Sequence, residues 1–101
     1  MPRGNGFTYK TWLRRYERGA KWPKRITIIG ALWTDACHSS DGDTTAGTIK
    51  SFVTGAVIEA TKEHLKVAFE LFDDQTVRDV TTIPSVLVKR VYPLGSTEFP
   101  S

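Results

Sequence analysis

The chain has 101 residues, of which 40% are hydrophobic, 25% charged and 11% aromatic, so one small globular domain is expected rather than a disordered chain. Its longest uncharged apolar runs, 26–33 and 52–58, are much shorter than the roughly 20 residues of a membrane-spanning helix. A single cysteine and the lack of an apolar, signal-like N-terminal stretch favour an intracellular protein, nuclear if eukaryotic and otherwise cytoplasmic.

Charge is unevenly distributed along the chain. Residues 1–25 hold eight basic side chains and one acidic one, a net charge of +7. Residues 26–101 hold six basic and ten acidic side chains, a net charge of −4. Such an asymmetry is typical of a basic interaction arm joined to a separate body. We therefore predict a basic aromatic arm over 1–25, a body over 26–92 and a C-terminal tail over 93–101.

Within the arm, the pattern predicts a short helix that begins after Thr8 and ends at about Arg18, before Gly19. Its apolar stripe consists of Tyr9, Trp12, Leu13 and Tyr16, at spacings of three and four. Either the stripe packs onto an open side of the body, or its rings stack on bases while the basic side chains bind phosphates, and both can hold at once. The candidate nucleic-acid-binding residues are Arg14, Arg15, Arg18, Lys21, Lys24 and Arg25. The stripe is too short to favour a membrane surface, so no membrane partner is expected.

From residue 26 onward the pattern changes to β. Strands are predicted over 26–33, over 47–53 continuing past a bulge or turn at Gly55 into 56–60, and over 65–71, 76–81 and 88–92. The intervening segments predict a long loop over 34–46, a tight turn over 72–75, a 3₁₀ turn within 83–87 and a frayed tail from Pro93. Five short antiparallel strands with a 3₁₀ turn before the last predict an all-β fold, closed into a small, strongly bent barrel.

The strand over 65–71 carries the clearest alternation. Leu65, Val67, Phe69 and Leu71 share one parity, and the residues between them include Lys66 and Glu70. Alternate residues of a strand point to the same face of a sheet. We therefore expect Phe69 to lie in the core.

Residues with catalytic or metal-binding chemistry are scarce. The only thiol, Cys37, adjoins His38, and a nucleophilic pair built from neighbours needs a special loop geometry. Two adjacent candidates do not supply the roughly four ligands of a zinc site. Neither a glycine-rich phosphate loop nor a nucleophile elbow occurs. We expect no enzyme activity, no metal and no cofactor; a small hydrolase using Cys37 and His38 is the outlying alternative.

Four short motifs occur in an order that resembles a known family. They are Ala-Leu-Trp-Thr-Asp at 31–35, Gly-Thr-Ile-Lys at 47–50, Val-Ala-Phe-Glu at 67–70 and Asp-Asp at 73–74. Together they resemble a Tudor domain, one of the SH3-like barrels, and most closely the Tudor domain of polycomb-like proteins, over roughly residues 28–92. The resemblance implies a five-stranded barrel that binds methylated lysine or arginine in an aromatic cage, where ring faces attract a diffuse cation.

Carried over residue by residue, the resemblance implies a peptide-binding site at the mouth of the barrel. Trp33 matches a cage wall. The second wall is Phe69 when the alignment is anchored on Phe-Glu and Phe72 when it is anchored on Asp-Asp. Because Phe69 is expected to lie in the core, Phe72 is the better candidate. The acidic rim would be Asp35, Asp73 and Asp74. Thr45 stands where the family has a further aromatic residue, so Tyr92 or an aromatic residue of the arm would have to complete the cage.

These observations predict a non-enzymatic binding module associated with chromatin or nucleic acid. The barrel would bind a basic peptide, methylated or unmodified, such as a histone tail, and the arm would bind the phosphates of DNA or RNA. The alternative is an adaptor for protein–protein interaction with no aromatic cage, a role that an origin in a phage or mobile element would favour.

Overall fold

One short helix and five antiparallel strands make up the computed structural model, which describes residues 6–36 and 48–100. In chain order they are α1 (Tyr9–Arg18), β1 (Ile26–Ala36), β2 (Thr48–Ala60), β3 (His64–Leu71), β4 (Val77–Pro84), a 3₁₀ turn (Ser85–Leu87) and β5 (Val88–Thr97). The predicted all-β class with an N-terminal helical extension and a 3₁₀ turn before the last strand is confirmed.

Local sequence signals set both ends of helix α1. The Thr8 hydroxyl accepts a hydrogen bond from the Thr11 amide at 3.3 Å, which satisfies a backbone donor that the first turn leaves free. At the other end, the Gly19 amide donates to the Tyr16 carbonyl at 3.2 Å. The four residues of the predicted stripe are buried: Tyr9, Trp12, Leu13 and Tyr16. Both the helix and its inward face are therefore confirmed.

The strands form one sheet in the order β4-β3-β2-β1-β5. Strands β1 to β4 form a meander of neighbours, and β5 returns to pair with the other side of β1. No backbone ladder joins β4 to β5 in the described ranges 6–36 and 48–100, so the closed barrel expected from the sequence is not confirmed. Strand β1 runs to Ala36, three residues beyond the predicted end. The rest of the predicted loop, 37–46, and the predicted first residue of the next strand, Gly47, lie outside the described residues.

Strand β2 is shared between the two halves of the sheet. Its first part pairs with β1 as far as Ala56, and from Ala56 onward it pairs with β3, with a register shift between Val57 and Glu59. The predicted segments on either side of Gly55 are thus one strand. A Cβ atom at Gly55 would lie 2.6 Å from the Ala68 carbonyl oxygen, so a glycine is needed where β2 and β3 approach this closely.

The hydrophobic core joins the helix to the sheet. Its buried cluster consists of Tyr9, Trp12, Leu13, Tyr16, Ile29, Ala31, Val57, Leu65, Val67, Ile83, Val88 and Val91. Phe7 extends this attachment, because its backbone exchanges two hydrogen bonds of 2.8 Å with Val91 of β5. The helix of the arm is therefore part of the body's core rather than a separate appendage.

The prediction that Phe69 lies in the core is wrong. Its side chain is 78% exposed, although Leu65 and Val67 of the same parity are buried. The last paired residues of the β2–β3 ladder are Ala56 and Ala68. Beyond them β3 continues in a ladder with β4 alone, so Phe69 lies on a two-stranded part of the hairpin with no second layer against it.

The last strand is longer than expected. Strand β5 continues to Thr97 and pairs there with Ile26, so five residues of the predicted tail, from Pro93, belong to the sheet instead of being frayed. The described part of the chain contains no helix with the length and apolar character needed to cross a bilayer.

Candidate nucleic-acid interface and aromatic cavity

Helix α1 presents its arginines to solvent. Arg14, Arg15 and Arg18 are exposed, whereas the aromatic stripe on the opposite side is buried. Inside the stripe, the rings of Trp12 and Tyr16 are stacked, with centroids 5.0 Å apart. Because the rings are used for packing, what the helix offers to a partner is chiefly its charge.

Tyr9 anchors the helix to the turn between β2 and β3. Its buried hydroxyl lies 2.7 Å from the carbonyl oxygen of Thr61 and 3.0 Å from that of His64, and it donates its one proton to this pair. Burial removes water from the phenolate form and raises the pKa of Tyr9 to about 12. The helix orientation, and with it the direction of the arginines, is fixed by a buried polar contact as well as by packing.

Lys21 neutralises the C-terminal end of α1. Its ammonium donates hydrogen bonds to the carbonyl oxygens of Glu17 at 2.9 Å and Gly19 at 3.3 Å. The last carbonyls of a helix carry a partial negative charge, which a cation in this position offsets. The end of the helix therefore adds little negative potential to the basic surface around it.

A cavity of about 500 Å³ separates the C-terminal half of α1 from strands β1 and β5. We call it the helix–sheet cavity; its lining is Phe7, Trp12, Arg15, Tyr16, Gly19, Ala20, Arg25, Thr27, Pro93, Gly95 and Ser96. The Arg15 guanidinium lies over the Phe7 ring, 4.6 Å from its centroid. Arg25 is held from the other side, where its Nε and Nη2 lie 3.3 and 3.2 Å from the Ser96 hydroxyl oxygen.

A second groove follows the other side of the helix, with a volume of about 670 Å³. Its lining is Tyr9, Lys10, Leu13, Arg14, Glu17, Lys62, Ser85, Val86 and Val88. Three of these side chains are basic and one is acidic, and one of the basic residues is Lys62, so the positive surface continues from the helix to the turn that follows β2.

Trp33, the predicted first wall of the cage, lies in β1 opposite Ser51 and Val88. Its side chain is partly buried and packs against the core cluster. The indole N–H is buried and has no acceptor among the described residues. In β1, Asp35 pairs with Ile49, and Cys37, His38 and Thr45 lie outside the described residues.

Phe72, the predicted second wall, is half-buried at the tight turn between β3 and β4. The turn is closed because the Phe72 amide donates to the Thr76 carbonyl at 2.9 Å. Asp74 stabilises it, since its carboxylate accepts from the Thr76 hydroxyl at 2.6 Å and the Thr76 amide at 3.0 Å. These hydrogen bonds hold the pKa of Asp74 below its ordinary value. The predicted turn is confirmed, and Asp74 is occupied in maintaining it.

Phe72 shares a small cavity with aromatic residues from both ends of the chain. This aromatic cavity, of about 210 Å³, is lined by Trp22, Pro23, Lys24, Phe72, Asp73, Gln75 and Phe99. The ring centroids of Trp22 and Phe99 lie 6.4 Å apart. Trp33 is not among its lining residues, so the structure brings Phe72 and Asp73 together and leaves Trp33 in different surroundings.

Two aromatic residues of this cavity, Trp22 and Phe99, were not identified as site residues from the sequence. The sequence pointed to Trp22 only indirectly, since an unspecified aromatic residue of the arm was one way to complete the cage. Nothing in the sequence pointed to Phe99, because it lies within the C-terminal tail over 93–101 that was expected to be frayed. Comparison of the chain with family models, with curated proteins and with solved structures finds no match.

Proposed function

We propose that this protein is a non-enzymatic binding module whose basic helical side binds nucleic acid through phosphates. The observation that carries the proposal is the orientation of α1, in which the buried stripe faces the sheet and Arg14, Arg15 and Arg18 face solvent. Lys21, Lys24 and Arg25 follow directly and continue the positive surface toward β1. Contacts of this kind release counterions and do not require base recognition.

The proposal is tested by the salt dependence of binding. A variant with Arg14, Arg15 and Arg18 all replaced by glutamine is titrated against labelled DNA at several salt concentrations. Each phosphate that the variant no longer binds should flatten the slope of log K against log salt by roughly 0.7–0.9. The matched control replaces Lys50, Lys89 and Arg90, three exposed basic residues of β2 and β5, and should keep the wild-type slope.

The two outcomes separate the candidate functions. A slope that is the same in both triple variants, or no DNA binding at low salt, would refute nucleic-acid binding by the helix. The exposed basic side of the helix would then be better explained by the alternative function, an adaptor for protein–protein interaction.

We also propose that the sheet is an SH3-like barrel of Tudor type, as the sequence resemblance implies. Three features support this: five antiparallel strands, a 3₁₀ turn before the last strand, and a β2 strand shared between two halves of the sheet. An experimental structure in which β4 and β5 lie far apart would contradict it.

A second candidate function, binding of a basic peptide, is favoured by the aromatic cavity. Trp22, Phe72 and Phe99 provide three rings, and Asp73 provides a carboxylate. Ring faces and a nearby negative charge attract a cation, by about 0.5–2 kcal/mol for each good contact. The Arg78 guanidinium lies 5.3 Å from the Phe72 centroid, so an external cation must use another face of this site or displace it.

The peptide site is tested with matched unmethylated and trimethylated lysine peptides. Because Arg78 competes and Lys24 also lines the cavity, binding should be weak, with at most a small preference for the methylated form. Phe72→Ala should abolish binding, and Trp33→Ala, which removes an aromatic residue outside the cavity, should retain it. Loss of binding only in Trp33→Ala would move the site to the position that the sequence motif implies.

A further inference from the structure

The outer face of the sheet, opposite the core and helix α1, carries an exposed aromatic ring. Alternate residues of a strand share a face, and Ala31 of β1 is buried in the core, so its neighbours Gly30 and Leu32 lie on the outer face. The register places Phe52 of β2 opposite Leu32 and Tyr92 of β5 opposite Gly30. We call this surface the outer patch; it consists of Gly30, Lys50, Phe52, Thr54, Arg90 and Tyr92.

The Phe52 ring is exposed and yet held in place. It is 56% exposed, and its end lies against the backbone of Gly30, where a Cβ atom would overlap Cζ of Phe52. It also meets Tyr92, with ring centroids 5.9 Å apart and ring planes inclined at 58°. A ring that is already positioned loses little conformational freedom when a partner arrives. Aromatic residues placed in this way are typical of the residues that contribute most to protein–protein binding.

The charge of the outer patch is positive. Lys50 lies two residues before Phe52 on β2, and Arg90 of β5 lies in the same row of the sheet as Phe52. Both basic side chains are exposed. Among the described residues on this face, they are the only charged ones in the rows of the sheet from Lys50 to Ala56. Since residues 26–101 carry a net charge of −4, this positive surface is local, and it is complementary to an anionic partner.

We propose that the outer patch binds an acidic peptide segment of a partner protein. One large apolar side chain of the peptide lies against Phe52 and Tyr92, and its carboxylates lie near Lys50 and Arg90. Two inclined rings present an angled apolar surface, which suits a side chain better than a base that stacks on a plane. Side chains on one face of a strand are about 7 Å apart, so one or two residues of an extended peptide separate the apolar contact from the acidic one.

This peptide site is separate from the proposed nucleic-acid interface. The arginines of α1 lie on the helix, which packs on the other face of the sheet. The site therefore goes beyond the proposed function and does not depend on it. A protein with both sites could hold an acidic partner while its helix is bound to phosphates.

The first experiment titrates the isotope-labelled protein with three short peptides at low salt and follows the backbone amides by NMR. One peptide has a central phenylalanine flanked by aspartates, the second replaces the phenylalanine with alanine, and the third replaces the aspartates with lysines. The first should shift the amides of Gly30, Phe52 and Tyr92 and bind about tenfold or more tightly than the alanine peptide. The lysine peptide should leave these amides unchanged, because its charge repels Lys50 and Arg90.

The second experiment uses two matched pairs of variants. Phe52→Ala and Phe69→Ala each remove an exposed phenylalanine, but only Phe52 belongs to the outer patch. Thr54→Glu and Thr54→Gln place side chains of similar size at an exposed position of β2 opposite Gly30, but only the first adds a negative charge. Phe52→Ala should weaken binding of the aspartate–phenylalanine peptide about tenfold or more, and Phe69→Ala should bind as the wild type does. Thr54→Glu should bind about two- to tenfold more weakly than Thr54→Gln.

Several outcomes would overturn the peptide site. They are no shift of the patch amides with any peptide, equal affinity for the phenylalanine and alanine peptides, and equal effects of Phe52→Ala and Phe69→Ala. Shifts of the same amides with oligothymidylate alone would assign the patch to nucleic acid, and shifts on dilution of the free protein would assign it to a second copy of the chain; either result contradicts the proposal. The amide spectrum of each variant shows whether it is folded.

The same variants keep this inference apart from the proposed function. Phe52→Ala changes no charge and lies on the face opposite α1, so it should retain DNA binding with the wild-type salt dependence. Replacement of Arg14, Arg15 and Arg18 should in turn leave the shifts of the patch amides with the aspartate–phenylalanine peptide unchanged. Loss of peptide binding in this triple variant would show that the peptide binds the helix, and would overturn the outer patch as its site.

Discussion

Replacing Trp12 with alanine tests whether helix α1 is an integral part of the core. Trp12 is 3% exposed and packs between Tyr9 and Tyr16, with ring centroids 5.8 and 5.0 Å away. An aromatic side chain buries about 150–250 Å², which at about 25 cal/mol per Å² corresponds to about 4–6 kcal/mol. Residual burial in the unfolded chain lowers this, so we expect a loss of about 3–5 kcal/mol.

The measurement is the free energy of unfolding from urea titration, followed by circular dichroism because the substitution removes a fluorescent residue. Phe69→Ala is the control, since this ring is 78% exposed and its removal should cost less than about 1 kcal/mol. Should Trp12→Ala leave the protein unfolded, Trp12→Phe gives a smaller loss that can still be measured. A loss below about 1 kcal/mol for Trp12→Ala, or a loss for Phe69→Ala that exceeds the loss for Trp12→Ala, would show that the helix does not share the core.

Three further predictions concern the backbone and the titrating groups. Gly55→Ala should destabilise the fold by about 1–3 kcal/mol in a urea titration because its Cβ meets β3 at 2.6 Å, whereas Gly19→Ala, with open space around it, should be neutral or stabilising. The pKa of Tyr9 is raised to about 12, so the folded state keeps the phenol protonated at pH values where the unfolded chain loses the proton. The free energy of unfolding should therefore fall between about pH 10 and pH 12, and this fall should be smaller in Tyr9→Phe. In an NMR titration, Thr76→Val should raise the pKa of Asp74 toward its ordinary value, because the main hydrogen bond that lowers it is removed; an unchanged pKa would mean that the turn is held in another way.

The helix illustrates what neighbouring residues can specify. A hydroxyl at Thr8, a glycine at Gly19 and apolar residues spaced three and four apart are properties of a continuous stretch of chain. Their consequences, a capped helix with one buried face, were predicted correctly. The turn at 72–75 belongs to the same class, since Asp74 bonds with a residue two positions away.

The strand over 65–71 shows where such reasoning ends. Alternation says which side chains share a face, but it does not say which part of that face a second layer covers. The β2–β3 ladder ends at Ala68, and Phe69 lies just beyond it. Where β3 stops pairing with β2 and continues with β4 alone depends on the pairing of the whole sheet, and not on the pattern of the strand itself.

The candidate sites divide in the same way. Composition and local spacing were enough to predict the charge of the arm, the helix that carries it and the aromatic residue at the turn. The fold was needed to show that Phe72, Trp22 and Phe99 line one cavity and that Arg15 and Arg25 line another. These residues are far apart in the chain and are brought together by packing of the helix and by the pairing of β5 with β1. Neither kind of contact leaves a periodic pattern in the sequence.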